Sequence, residues 1–221
     1  MQNQTPLLPL PEDMPTYAVA MDNLAKIPLN LYQGLEAAAS KTAAFRELES
    51  PNERIDEGLA ASLVRFHLLK FLKGLGVEAV EEDWDLDSLP FMGISFHYAG
   101  CHVKVLKGPN GCLPGCGQSE KKTRFYNQLP SMYLVDNRAV QSSANLLVLW
   151  DFDSTYGVAA VWLALPAVGG KRPSDVSAFW IETIPHPSEG LLGVMPPAPP
   201  PTDNLDDLLV PLKGDRKAVG Q

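Results

Sequence analysis

Cysteine is scarce, with three residues in 221. An odd number of thiols in a chain with no export signal excludes a disulfide framework and leaves reduced thiols as the expectation. No apolar run approaches the ~20 residues that a membrane helix needs, and the opening MQNQTPLLPLPEDMP has neither a basic start nor an apolar stretch behind it. The chain is therefore expected to be soluble, unexported and cytoplasmic, with no membrane contact. Basic residues are outnumbered, 18 against 26, for a net charge of -8. That balance excludes a surface broadly adapted to nucleic acid, which is gripped by clustered Lys and Arg. A dinucleotide fingerprint, a kinase set and a Ser-His-Asp arrangement are missing as well, and no internal repeat is found. The four histidines do not form a set; His67 lies among Leu and Phe and His186 between two prolines.

What is present is enough apolar residue, 45%, to bury one core. Residues 1 to 16 hold Pro6, Pro9, Pro11 and Pro15, which fix φ and remove donors, so this arm is expected to be extended. From Leu29, LNLYQGLEAAASKTAAFRELE is rich in strong helix formers, and a second helix is expected after Asn52, ending at Gly74 to Gly76. In that second helix one apolar row (Leu59, Leu63, Phe66) lies nearly opposite another (Val64, Leu68, Phe71, Leu72, Leu75), which predicts burial around most of its girth. Six carboxylates between Glu78 and Asp87 read as a solvated connector.

After Gly93 the period becomes two. GISFHYAGCHVKVLKG predicts two strands about Ala99-Gly100, SEKKTRFYNQ a short helix capped by Ser119, and LLVLWDF with VAAVWLAL a second hairpin; AFWIETIP is a further strand. The second hairpin is apolar on both sides, so both faces of its sheet should be covered, by helices on one side and by a chain end or another chain on the other. The fold expected is α+β: N-terminal helices packed on a mostly antiparallel sheet, with an extended arm at 1–16, one domain at 17–186 (helical half 17–77, strand-rich half 93–186) and a proline-rich, acidic tail at 187–221. In the tail the patch of Leu205, Leu208, Leu209, Val210 and Leu212 reads as a docking segment on a tether.

Three constellations could carry chemistry. Cys101, His102, Cys112 and Cys116 are of the right type for zinc, but adjacent strand residues point to opposite faces and no second close cysteine pair exists. Between Gly93 and Tyr126 five cations, Lys104, Lys107, Lys121, Lys122 and Arg124, meet only Glu120. With Tyr126 they form a basic patch suited to a phosphate-bearing ligand, nucleic acid or an acidic peptide, although Lys104 and Lys107, three apart in a strand, should face opposite ways. GCLPGCGQS lacks the Gly-Lys-Ser/Thr ending of a P-loop. Asp151 and Asp153, two apart, with Glu182 on a neighbouring strand, resemble the carboxylate sets that hold Mg²⁺ or Mn²⁺ for phosphodiester hydrolysis. Asp153, however, opens a turn, which explains it structurally.

With no catalytic set complete, the reading is a non-catalytic binding or regulatory protein. Its expected partners are another protein or a second copy of itself, engaged through the tail and a sheet face, and no cofactor is assigned. The alternatives are a metal-dependent hydrolase using Asp151, Asp153 and Glu182, and a zinc-stabilised loop carrying the basic patch.

Overall fold

Thr16 caps the first helix, α1 (Tyr17–Leu24), its hydroxyl accepting a hydrogen bond from the Val19 amide at 3.4 Å. Ala25, at φ 48°, breaks that helix, and α2 (Ile27–Glu49) starts two residues later on the predicted Ala/Leu-rich run. α3 (Glu57–Gly74) packs against it closely. The approach depends on Gly34, where a Cβ would sit 2.7 Å from the Leu68 and Phe71 side chains. The computed structural model describes residues 4–49, 57–74, 87–89, 93–130, 132–135, 138–153 and 157–189. The connector carboxylates Glu78, Glu81, Glu82, Asp83 and Asp85, and the tail patch Leu205, Leu208, Leu209, Val210 and Leu212, lie outside these residues.

The expectation that α3 is buried around most of its girth fails. Val64, Leu68 and Leu72 are buried, whereas Leu59 and Phe66 are 51% and 55% exposed. One row faces the core; the other faces outward.

The strands are β1 (Asp87–Leu89), β2 (Gly93–Tyr98), β3 (Cys101–Lys107), β4 (Met132–Val135), β5 (Arg138–Gln141), β6 (Ala144–Phe152), β7 (Val158–Val168) and β8 (Ser177–Thr183). Six form one sheet in the order β1-β2-β3-β6-β7-β8, and β4-β5 is a separate hairpin. Both predicted hairpins are present, the first turning through Ala99 at φ 45° and Gly100 at φ 77°. The sheet is antiparallel except between β3 and β6, and a parallel pair needs a long crossover. Residues 108–143 supply it, with a 3-10 turn at Pro109–Gly111, α4 (Glu120–Tyr126) and the β4-β5 hairpin. The α+β class, helices preceding a mostly antiparallel sheet, holds.

Alternation along the strands divides the core. Phe96, Val103, Val105, Leu146, Val148, Trp150, Val161 and Leu163 pack with the three N-terminal helices. Leu147, Leu149, Ala164 and Ala178 pack with Leu113, Cys116, Phe125 and Tyr126 of the crossover. The second face is thus covered by neither a chain end nor another chain, as sequence alone suggested, but by the chain's own crossover. The N-terminal arm takes the β8 edge instead. The Leu8 amide donates to the Ala178 carbonyl at 2.8 Å and the Ala178 amide to the Pro6 carbonyl at 3.0 Å, while Trp180 Nε1 donates to the Pro15 carbonyl at 2.9 Å. Covering the edge blocks pairing with a further strand. Among the described residues no helix is long and apolar enough to cross a membrane.

Candidate functional site

Pairing between β2 and β3 runs from Tyr98 opposite Cys101 to Ile94 opposite Val105. Leu106 and Lys107 extend past it. A cavity of about 360 Å³ opens here, lined by Ala61, Arg65, Lys104, Leu106, Lys107, Pro114, Cys116, Ser119, Lys122 and Trp150. Because it wraps the end of a strand, it draws on both faces of the sheet. Lys104 is on the crossover side, its Nζ 4.3 Å from the centre of the Phe125 ring. Lys107 is opposite Trp150 in the β3-β6 register and lies on the helix side, its Nζ 5.1 Å from the Phe152 ring centre. The two lysines do face opposite ways, as expected, yet reach one cavity.

The crossover wall is held by buried polar contacts. Ser119 caps α4, its hydroxyl accepting from the Lys122 amide at 3.2 Å. Tyr126 is buried, and its hydroxyl donates to the Pro114 carbonyl at 2.8 Å. It therefore positions the loop, a correction to its expected place among the ligand contacts. The Cys116 amide donates to the Gly170 carbonyl at 2.7 Å, and Gly115 must be glycine because a Cβ would lie 2.6 Å from the Lys171 carbonyl oxygen. At the far end of α4, Asn145 Nδ2 donates to the carbonyls of Phe125 and Leu129, each at 3.0 Å, and Gln128 clamps the Asn145 and Pro166 carbonyls.

Four cations, Arg65, Lys104, Lys107 and Lys122, line the cavity, and no carboxylate is among its described lining residues. Lys122 Nζ donates to the Gly115 carbonyl at 2.7 Å; Arg65 donates back along its own helix, to the Ala61 carbonyl and the Ser62 hydroxyl. Lys104 is only 8% exposed, and among the described residues its ammonium rests on an aromatic face with no hydrogen-bond acceptor. Burial, then the charges of Lys121 and Lys122, pull its pKa down to about 8 against an opposing effect of Cys116. Burial also lowers the pKa of Lys122. Trp150, 1% exposed, brings a buried indole N–H with no partner, a second unmet donor in the cavity wall beside Lys104.

Other candidates separate. Lys121 and Arg124 are exposed on the outer side of α4; Lys121 acts on the cavity only through its charge. Asp151 accepts from the Asn110 and Phe152 amides, at 3.1 and 2.9 Å, and Asp153 from the Gly157 amide at 2.8 Å. These are turn-fixing contacts. Glu182 pairs with Leu163, a helix-side residue, and its charge is felt by Tyr17 of α1. Asp151 pairs with Ala160 and continues the crossover-side row of Leu147 and Leu149. The three carboxylates therefore do not converge, which corrects the expected hydrolase set: pleating sends Glu182 to the far face.

The zinc set fails for the same reason. Cys101 packs in the helix-side core, where burial pushes its thiol pKa up, and its neighbour His102 packs on Phe125 of the crossover. Cys116 belongs to the crossover core. No group of three or more His, Cys, Asp or Glu among the described residues could hold a metal ion.

Sequence reasoning found Lys104, Lys107 and Lys122 but missed Arg65, Cys116 as a wall of the cavity, and Trp150. Arg65 carries no local signal, because its role depends on which turn of α3 lies beside the end of β3. No family model, curated protein or solved structure matches this chain.

Proposed function

We propose that this chain is a binding protein that takes an anionic, phosphate-bearing ligand in the basic cavity at the end of β3. The observation that carries this reading is Lys104: a lysine 8% exposed that has no hydrogen-bond acceptor among the described residues, in a cavity whose described lining holds three further cations and no carboxylate. Burying an unpaired charge is costly, and an anion in the cavity would offset that cost by supplying the missing acceptors. A volume near 360 Å³ suits a small molecule. The net charge of -8 opposes a long nucleic acid, whose binding spreads over many phosphates. Inorganic phosphate and pyrophosphate at constant ionic strength are the first probes. A saturable rise in melting temperature that is lost in Lys122→Met supports the reading, and no rise with either anion overturns it.

A second reading, a protein contact, has its own observation. Phe45, Leu48, Leu59 and Phe66 are large apolar side chains 38–70% exposed on α2 and α3, and exposed apolar side chains that gather on one surface mark contact sites. Sedimentation of the intact chain tests whether this surface joins two copies.

A further inference from the structure

We infer that Lys104 is a nucleophilic amine that condenses with a phosphate-bearing aldehyde held in the basic cavity. The inference rests on the anion-binding reading of that cavity and adds what one of its lysines does there. Two features of the structure set Lys104 apart, and a third it shares with Lys107 and Lys122. It is the most deeply buried of the three. Unlike Lys122, which is tied to the Gly115 carbonyl, its nitrogen is not engaged by a hydrogen-bond acceptor among the described residues. It also lies against the Phe125 ring, an apolar wall that cannot take a proton.

An amine attacks a carbonyl only when its lone pair is uncommitted, and the way to free that lone pair near neutrality is to desolvate the ammonium beside other cations. Lys104 meets both conditions, with burial as the larger effect and Lys121 and Lys122 next. Its pKa of about 8 leaves a usable fraction of free amine where an ordinary lysine has almost none. Arg65, Lys107 and Lys122 line the same cavity and would hold the phosphate. In the step itself the Lys104 nitrogen forms a bond to the aldehyde carbon and the carbonyl oxygen takes up a proton. The carbinolamine then loses the nitrogen's proton and the hydroxyl as one water, leaving a carbon–nitrogen double bond. Nothing is oxidised or reduced.

The probe is pyridoxal 5′-phosphate, chosen for its aldehyde and phosphate, followed by borohydride trapping and peptide mapping. The expected result is a dominant adduct on Lys104, formed at least tenfold faster than on exposed Lys121, suppressed by inorganic phosphate, with a rate that rises through about pH 8. Lys104→Arg and Lys104→Met are both expected to lose the adduct while Lys121 is labelled at its unchanged slow rate, and the thermal effect of phosphate is read on the unsubstituted protein. A phosphate-stabilised protein whose Lys104 stays unlabelled overturns the imine while the anion-binding reading stands. Equal labelling of Lys104 by pyridoxal without its phosphate, with no thermal effect of phosphate, overturns both.

Discussion

The two faces of the central sheet are built from different materials. Against the N-terminal helices the sheet presents hydrocarbon: Val103, Val105, Leu146, Val148, Val161, Leu163 and Leu165 meet Leu31, Leu35, Val64 and Leu68. Against the crossover it presents a smaller apolar patch beside buried polar and charged groups, namely His102, Lys104 and Asn145. Apolar burial is strong and non-directional, while buried polar groups demand directed partners and so fix geometry. The helix face accounts for stability. The crossover face holds the loop that walls the cavity, and it keeps one cation short of an acceptor.

Removing packing from the helix face is the largest way to test this division. Leu68 is fully buried beneath α2, and Leu68→Ala should cost about 2–5 kcal/mol in urea unfolding. A loss under about 1 kcal/mol would mean that the helical layer does not bear the load assigned to it. On the other face, Asn145→Ala strips the donors from two carbonyls at the end of α4 and should cost about 1–3 kcal/mol. Its more telling consequence is local. The crossover wall loosens, so phosphate should no longer raise the melting temperature of a protein that still folds. If phosphate stabilisation survives intact, the clamp at Asn145 does not position the cavity.

Much of this division was legible in the chain. Alternation located β2 and β3, continuous apolar runs located β6 and β7, and Ser119 marked the start of α4, because these are local signals of period and capping. Apolar residues on both faces of LLVLWDF correctly required two covers. Which cover each face received was not legible. The parallel pairing of β3 with β6 joins residues about 40 positions apart, and no local pattern specifies that register. The same limit explains the site. Lys104 and Lys107 were visible as a patch, but Arg65 and Trp150 join them only because α3 and β6 flank the end of β3. The acid trio was misjudged for a related reason: spacing shows that Asp151 and Glu182 lie on strands, whereas only the register through β7 shows that they face apart.

A smaller effect separates the faces by pH. His102 is buried on the crossover side, its Nε2 2.6 Å from Ser95 Oγ and its Nδ1 without a partner. Burial first, then His97, Lys104 and Lys121, lower its pKa from 6.5 to about 3. The folded protein keeps this ring neutral while the unfolded chain takes up a proton below pH 6.5, so stability is lost as pH falls from about 6.5 towards 3. At pH 6 the loss is under about 1 kcal/mol and grows on further acidification. In His102→Gln the dependence of stability on pH should flatten across that interval. An unchanged slope would show that other groups carry the acid sensitivity.

The smallest effect is expected where the helical layer turns outward. Leu59 and Phe66 sit two turns apart on α3, away from the row of Val64, Leu68 and Leu72, and Phe66 lies edge-on to its neighbour His67 at 5.3 Å between centroids. If stability resides in the inward row, Leu59→Gln with Phe66→Gln should change unfolding free energy by no more than about 0.5 kcal/mol. Burial on a helix is directional, so the same substitution two positions beyond Phe66, at Leu68, belongs to the opposite regime. The double variant also isolates the second functional reading, since a change in sedimentation with unchanged stability can come only from an outward contact. A loss above about 1 kcal/mol in a protein that sediments as before would instead make these side chains part of the fold, and the helix face would no longer be one-sided.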